Sequence, residues 1–588
     1  MLIRKEILKS SRISIPDLFF FVVVGGAILA VTTTAERWTM GFQRDVPIDL
    51  STGSLLTYSL LSLTRGIIAY LISLTLALVC GYLAAKSRFW ERIILPILDI
   101  GQSLPVLGFL PGLVLGLVAI FPNSNIGLEL ACILMIVTSQ MWNMAFSFYS
   151  SLKAIPPEFI EVAKVSRINP LVRFVKVELP FAATPLAWNS LVSIAGGWFF
   201  LTVCESFQLK GQSFRLPGLG SFMAEALDQG KTSAVLMGIT AMMCVIILLD
   251  FIIWRPIISW SQKFRPDDLP LGDIEVPFVS LMFRQSRIVE EVSKYFRALK
   301  QKARPYYLKI EEKFPLQSKE LDSLSESKGS DKKSIFKLFK SQFRTGIAIT
   351  ILIALAIWIF GQLYLLVKEL ELKDWILITK SALLTLSRIG ACLILATLWT
   401  LPVGVLIGLS PRLTRLLQPV IQVFASFPSP MIYPLVFIAF KSIGIGLGVS
   451  SIFLLMVGVQ WYILFNVLAG SVQIAQQHTD SFKLMGLGWK EHWKKLYLPS
   501  IFPYLVTGWI TAAGGAWNAS IVTEYLDYGG HTYSTDGLGA LVTRATADGN
   551  FQLLSASLMV MVGLVILLNR SVWKFLFRYA ETRFSMES

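Results

Sequence analysis

Long apolar runs alternate along the chain with short basic or mixed polar segments. Six such runs fall at about 18–31, 55–85, 93–121, 126–149, 181–204 and 233–254, and six more at about 347–367, 382–409, 416–440, 445–469, 501–523 and 551–568. Most approach or exceed the roughly 20 residues that a helix needs to cross a bilayer core. None has the short, strict alternation of a membrane β-strand. The pattern predicts an all-α polytopic membrane protein with about 12 transmembrane helices. Pro96, Pro105 and Pro111 interrupt the third run.

The polar segments order themselves by charge. Lys86, Arg88 and Arg92, then Lys153, Arg173 and Lys176, then Arg255 and Lys263, and finally Lys574, Arg578 and Arg583 fall on one side of the alternation. Basic loops stay in the cytoplasm, so both termini are expected there. The first run follows Arg4, Lys5, Lys9 and Arg12. It reads as an uncleaved span or as a cleaved signal, and six helices per half favour the uncleaved span. The same rule accounts for the net charge of +15 and removes nucleic acid as the expected partner; 54% hydrophobic and 15% charged residues exclude a soluble protein.

The divisions follow: a first half over 1–260 with a core repeat at 55–255, a charged cytoplasmic linker over 261–344, and a second half over 345–588 with a core repeat at 378–575. In the linker, Ile288, Val292, Tyr295, Phe296 and Leu299 recur at helical spacing, which suggests an amphipathic helix or a loosely ordered tether. The Ser- and Lys-rich stretch 323–334 has linker composition.

The two halves are one sequence written twice. Arg65 and Arg388, Gly81 and Gly404, Pro96 and Pro419, Pro105 and Pro428, and Pro111 and Pro434 are each 323 positions apart. After a deletion the separation becomes 319, which relates Trp198 to Trp517, Glu205 to Glu524, and Gly218-Leu219-Gly220 to Gly537-Leu538-Gly539. An even number of spans per copy gives both the same orientation, related by an axis along the membrane normal.

The basic loop 151–180 returns as 471–499. The first copy holds Glu161-Val162-Ala163, then Arg167, Val177 and Leu179-Pro180; the second holds Asp480-Ser481-Phe482, Lys483, Gly486, Leu496 and Leu498-Pro499. Pro156-Pro157 can open a helix, with Glu158 and Glu161 near its start and Lys164 and Arg167 near its end, the charge order a helix dipole favours. The bland alternative is an ordinary basic loop. The spacing resembles the EAA signature of type I ABC importer permeases. Arg167 stands where that pattern has Gly, and the second copy keeps the Gly but lacks both alanines. With its Glu…Gly-Leu-Gly segments, the chain looks like the fused, duplicated permeases of the nitrate, sulfonate and taurine group. That resemblance implies a bacterial inner-membrane pore that docks two cytoplasmic ABC ATPase subunits and an extracytoplasmic solute-binding protein. It also implies that ATP with magnesium binds on the partners, that no cofactor binds in this chain, and that the solute is a small anion of the nitrate, sulfonate, taurine or bicarbonate type.

No GxxxxGK[ST] phosphate loop occurs, and the five cysteines and three histidines form no metal-ligand spacing, so neither an enzyme nor a metal site is expected. Polar residues inside apolar runs are costly in lipid and mark candidate positions along a pathway. They are Ser103, Gln140, Asn143, Trp198, Gln460, Asn466, Trp517 and Asn518, with Asp99 and Gln422 at matched positions. Helix–helix hydrogen bonding is the competing role. Glu205 and Glu524 fall at the outer ends of matching helices, as outer-gate residues or as solvated loop acids. An ion-coupled secondary transporter with six plus six helices is the rival architecture; the scarcity of acids and bases within the spans counts against it.

Overall fold

The computed structural model describes residues 15–264, 361–474 and 488–584, except 40, 44 and 167, with scattered helical positions between those ranges. Most of the linker, and residues 475–483, 486 and 487 of the second loop, among them Asp480, Lys483 and Gly486, lie outside the described residues.

Each half is organised on one long helix, Thr52–Lys86 or Leu372–Gly408. On the first, Arg65, Ala69, Ser73, Ala77 and Gly81 recur every four residues and all are buried; on the second, Arg388, Cys392, Ala396, Thr400 and Gly404 do the same. Residues four apart share a helix face. In lipid, where the hydrophobic effect does not drive helices together, small residues let backbones approach. The stripes meet helices Ile126–Lys153 and Leu447–Val472. A Cβ on Gly81 would stand 2.9 Å from the Phe148 ring, and one on Gly404 would stand 2.7 Å from Val467.

Among the described residues, nine helices are long and apolar enough to cross a membrane. The single span expected over 93–121 is instead a broken element. Helix Arg88–Ser103 ends, Leu104 is extended, the 3-10 turn Val106–Phe109 follows, and helix Leu110–Ile120 completes it. The second half repeats this with Pro411–Ser426, Ser429–Met431 and Tyr433–Ser442. The cause is local, because Pro105 and Pro428 force the residues before them out of the helical region.

The fifth spans, Pro170–Glu205 and Trp489–Thr523, begin well before their apolar runs. Each carries a π-helical turn, Phe174–Glu178 or Trp493–Tyr497, just ahead of Leu-Pro. Pro180 and Pro499 lack an N–H and crowd the carbonyl four residues back, and the wider turn accommodates both.

At the far end of these helices stand two antiparallel hairpins, Ser206–Leu209 with Gln212–Arg215 and Tyr525–Tyr528 with His531–Ser534. They interlock the halves reciprocally. Lys210 N and Gly211 N donate to Thr546 O and Ala547 O (3.2 and 2.7 Å), and Gly529 N donates to Leu227 O (3.0 Å).

Candidate translocation pathway

Between the halves lies a cavity of about 1370 Å³, lined by both. Its wall is mostly apolar, with uncharged polar groups set into it, including Thr138, Ser139, Asn189, Thr507 and Thr511. Arg570 and Lys574 stand at the end nearest the basic loop. Of the residues singled out from sequence, Asn143, Trp517 and Asn518 line it, as do Asp99 and Gln422.

Of the others, all but Ser103, whose side chain lies outside what is described, take different places. Gln140 is buried and accepts from Ser73 Oγ at 3.1 Å, with Gly197 close behind it. Trp198 packs on Gly66, and Asn466 Nδ2 donates to Tyr462 O within its own helix at 2.8 Å. Ser103 closes the helix Arg88–Ser103, and Gln460 is half-buried on Leu447–Val472. For Gln140 and Asn466, the helix-bonding alternative describes the contacts. The cavity adds a pair that pattern-reading had passed over. Trp142 and Trp461 hold equivalent positions in the two copies and both line the wall. Trp142 fits only because residue 101 is glycine, where a Cβ would come within 2.4 Å of the indole, and its Nε1 has no hydrogen-bond partner. Their separation of 319 positions was the available signal.

Glu205 and Glu524 are not solvated, and neither is among the described residues lining the cavity; each is fully buried. Glu205 Oε1 accepts from Ser62 Oγ (2.6 Å) and Arg65 Nη1 (2.7 Å), and Oε2 accepts from Gly220 N (2.7 Å). Glu524 repeats this with Thr385 Oγ1 (2.8 Å), Arg388 Nη1 (2.8 Å) and Gly539 N (2.9 Å). Each carboxylate thus sits at the N-terminus of a short helix, Leu219–Asp228 or Leu538–Asp548, where free N–H groups and the dipole favour an anion. The Gly-Leu-Gly segments follow from this, since a Cβ on Gly218 or Gly537 would come within 2.4 or 2.2 Å of the carboxylate.

The clusters differ in one respect. Arg65 also holds Glu129, with Nε to Oε2 at 2.6 Å and Nη2 to Oε1 at 2.8 Å. Arg388 meets neutral acceptors instead, Gly448 O, Asp536 O and Thr535 Oγ1. A buried charge needs a partner, and these supports supply one in the interior of each half.

At the opposite end, helix Pro157–Val165 forms a knob below the membrane spans. Glu158 and Glu161 are exposed, while Ala163 is buried beneath. The Lys164 side chain and Arg167 lie outside what is described. Phe159, Val162 and Val165 are exposed on the knob, as Leu484 and Trp489 are on the second loop. Leu179 and Pro180 are part-buried just inside the fifth span; Leu498 and Pro499 sit at the equivalent turn. Glu178, 1% exposed, joins three elements: its Oε1 lies 2.6 Å from Lys86 Nζ at the end of the second span and 2.9 Å from Arg173 Nε after the knob.

Two repeated helical halves around a shared cavity, with an exposed helical knob at one end and interlocked hairpins at the other, define a membrane transport component. The chain belongs to the family of binding-protein-dependent transport system inner membrane components, which matches residues 73–253 and 400–586, more than half of its length. Among relatives, it is 29% identical over 144 residues to the nitrate import permease protein NrtB of Synechococcus elongatus, covering 24% of this chain and 50% of that protein. It is 30% identical over 143 residues to the bicarbonate transport system permease protein CmpB of a Synechocystis strain, covering 24% and 49%. It is 27% identical over 162 residues to the taurine transport system permease protein TauC of Escherichia coli, covering 27% and 55%. The chain thus spans about half the length of these relatives.

Proposed function

We propose that the chain is the fused pore of an ATP-driven importer, with residues 1–260 and 345–588 as two permease halves joined by 261–344. Two cytoplasmic ABC ATPase subunits, carrying ATP and magnesium, would seat on the loops around 158–167 and 480–486. An extracytoplasmic binding protein would deliver solute to the hairpin end. The names of the relatives suggest a small anion such as nitrate, bicarbonate or taurine. With basic loops inside, both termini are cytoplasmic, and the cavity, reaching Ser151, Phe181 and Lys574 at the loop end, corresponds to an inward-open form. Alternating access then requires closing this mouth and parting the hairpin end, driven by the ATPases.

The observation that carries this reading is the knob. Phe159, Val162 and Val165 expose apolar surface on a loop that the charge pattern assigns to water, and such a patch marks a partner site. Co-purification with candidate ATPase subunits tests it. The wild type should retain them, and Phe159→Glu with Val162→Glu, or Glu161→Lys with Asp480→Lys, should lose them. A wild type that captures no ATPase while transporting on an ion gradient would replace this reading with secondary transport.

A further inference from the structure

The repeat builds two crevices where a helix of one half meets the other half, and they differ. In one, Gln422 of helix Pro411–Ser426 shares a space with Leu249, Asp250 and Trp254, and only about 10 Å³ of it remains open. In the other, Asp99 of helix Arg88–Ser103 and Leu568, Asn569 and Trp573 hold the matching positions, and the space runs into the central cavity.

The charges differ at the same place. Arg570, Lys574 and Arg578 recur every four residues at the end of the last span, so they share a helix face. All three are exposed, and none makes an ion pair among the described residues. Arg570 and Lys574 line the cavity beside Trp573 and Phe577. Asp99, across the crevice, is the one acid among the described residues that line it. The counterparts 319 positions earlier are Phe251, Arg255 and Ser259. There the single cation is neutralised: Arg255 Nε lies 2.8 Å from Asp250 Oδ2, and the guanidinium stands 3.9 Å from the Phe251 ring centre. In the second half Asn569 replaces Asp250, so the acid is gone and two cations are added. The positive-inside rule places basic residues at both span ends, but it acts on both halves alike and does not account for this difference.

We propose that the wider crevice holds the headgroup of one anionic phospholipid of the cytoplasmic leaflet, seated on Arg570 and Lys574. The inference needs only the membrane setting and not the ATP-driven reading. Basic pockets between membrane helices on the cytoplasmic side suit acidic headgroups. Trp573 and Tyr579 flank Lys574 on the segment, and such amphipathic aromatics gather at headgroup depth. A free anion would meet the same cations. The lipid is favoured because the crevice lies between membrane helices and Val565, Leu568 and Phe577 give it an apolar wall for an acyl chain.

The test places the full chain in nanodiscs of phosphatidylcholine, alone or mixed with phosphatidylglycerol, and reads lysine acylation by peptide mass spectrometry. A base near an anionic leaflet gains about fivefold in affinity for it. Phosphatidylglycerol should therefore slow labelling of Lys574 by about fivefold relative to Lys263, which is exposed past the end of the matching span in the first half. Native mass spectrometry of the detergent-purified chain gives a second readout. The wild type should retain phosphatidylglycerol at least tenfold more tightly than Arg570→Gln with Lys574→Gln. Arg412→Gln with Arg415→Gln, which removes the same charge from the helix beside the narrow crevice, should match the wild type. Equal slowing of Lys574 and Lys263, or equal retention by the two double variants, overturns the site. A third arm adds millimolar nitrate to the phosphatidylcholine discs. Protection of Lys574 by nitrate and not by phosphatidylglycerol gives the cations to a free anion and overturns the lipid. No readout uses an ATPase, so the lipid site and the importer reading fail separately.

Discussion

Arg65→Met is the sharpest perturbation that the structure offers. Arg65 is 1% exposed and neutralises two buried carboxylates, Glu129 through two nitrogens and Glu205 through a third. Methionine keeps much of the volume, so the loss is electrostatic rather than a packing void. Removing one partner of a buried ion pair costs about 3–5 kcal/mol, chiefly because the other charge stays buried. Arg65 serves two acids, so the cost should reach or pass the top of that range, about 5 kcal/mol. Arg388→Met strands only Glu524, and Thr385 Oγ1 with two backbone N–H groups still serve that carboxylate, so about 3 kcal/mol is expected there. At about 2–4 °C per kcal/mol for units of 150–250 residues, Arg65→Met should melt at least about 10 °C below the wild type and Arg388→Met clearly less far. The assay is thermal denaturation in detergent, read by labelling of the buried thiols Cys132 and Cys204 with a fluorogenic reagent. Adding Glu129→Gln to Arg65→Met should recover part of the loss by removing one stranded charge. A melting point for Arg65→Met within about 2 °C of the wild type, or a larger drop for Arg388→Met, would refute the argument.

Three other outcomes are expected. Glu178→Gln, by releasing Lys86 and Arg173, should raise amide exchange over 157–173 several-fold and lower solute uptake per ATP hydrolysed, whereas Tyr497→Phe at the matching position of the second half should leave exchange there unchanged. Gly108→Ala should destabilise by about 1–3 kcal/mol through overpacking against Leu558, and Leu558→Ala in the same chain should restore part of the melting temperature. Trp142→Ala and Trp461→Ala should each reduce uptake in the assembled transporter without changing ATPase co-purification, because both side chains line the cavity and not the knob.

Much of this architecture is legible in the chain itself. The spans follow from apolar length, the duplication from separations of 323 and 319, and the packing face of each central helix from small residues recurring every four positions after Arg65 and Arg388. Both members of each Arg–Glu support are visible as duplicated charges in or beside apolar runs. Their pairing is not, because 140 residues separate Arg65 from Glu205 and no local pattern names a distant partner. The side a polar residue faces is also undecided by composition. Gln140 and Asn143 share a helix and lie less than one turn apart, yet one bonds inside the half and the other lines the cavity. The proline-broken third element could be read as a kinked span until the extended residues Leu104 and Phe427 showed two helices joined by a turn. Local rules act over a few residues and set elements, faces and breaks. Which charges meet, which side chains line the passage and where the passage is shut depend on how separate helices pack, and only the tertiary structure decides that.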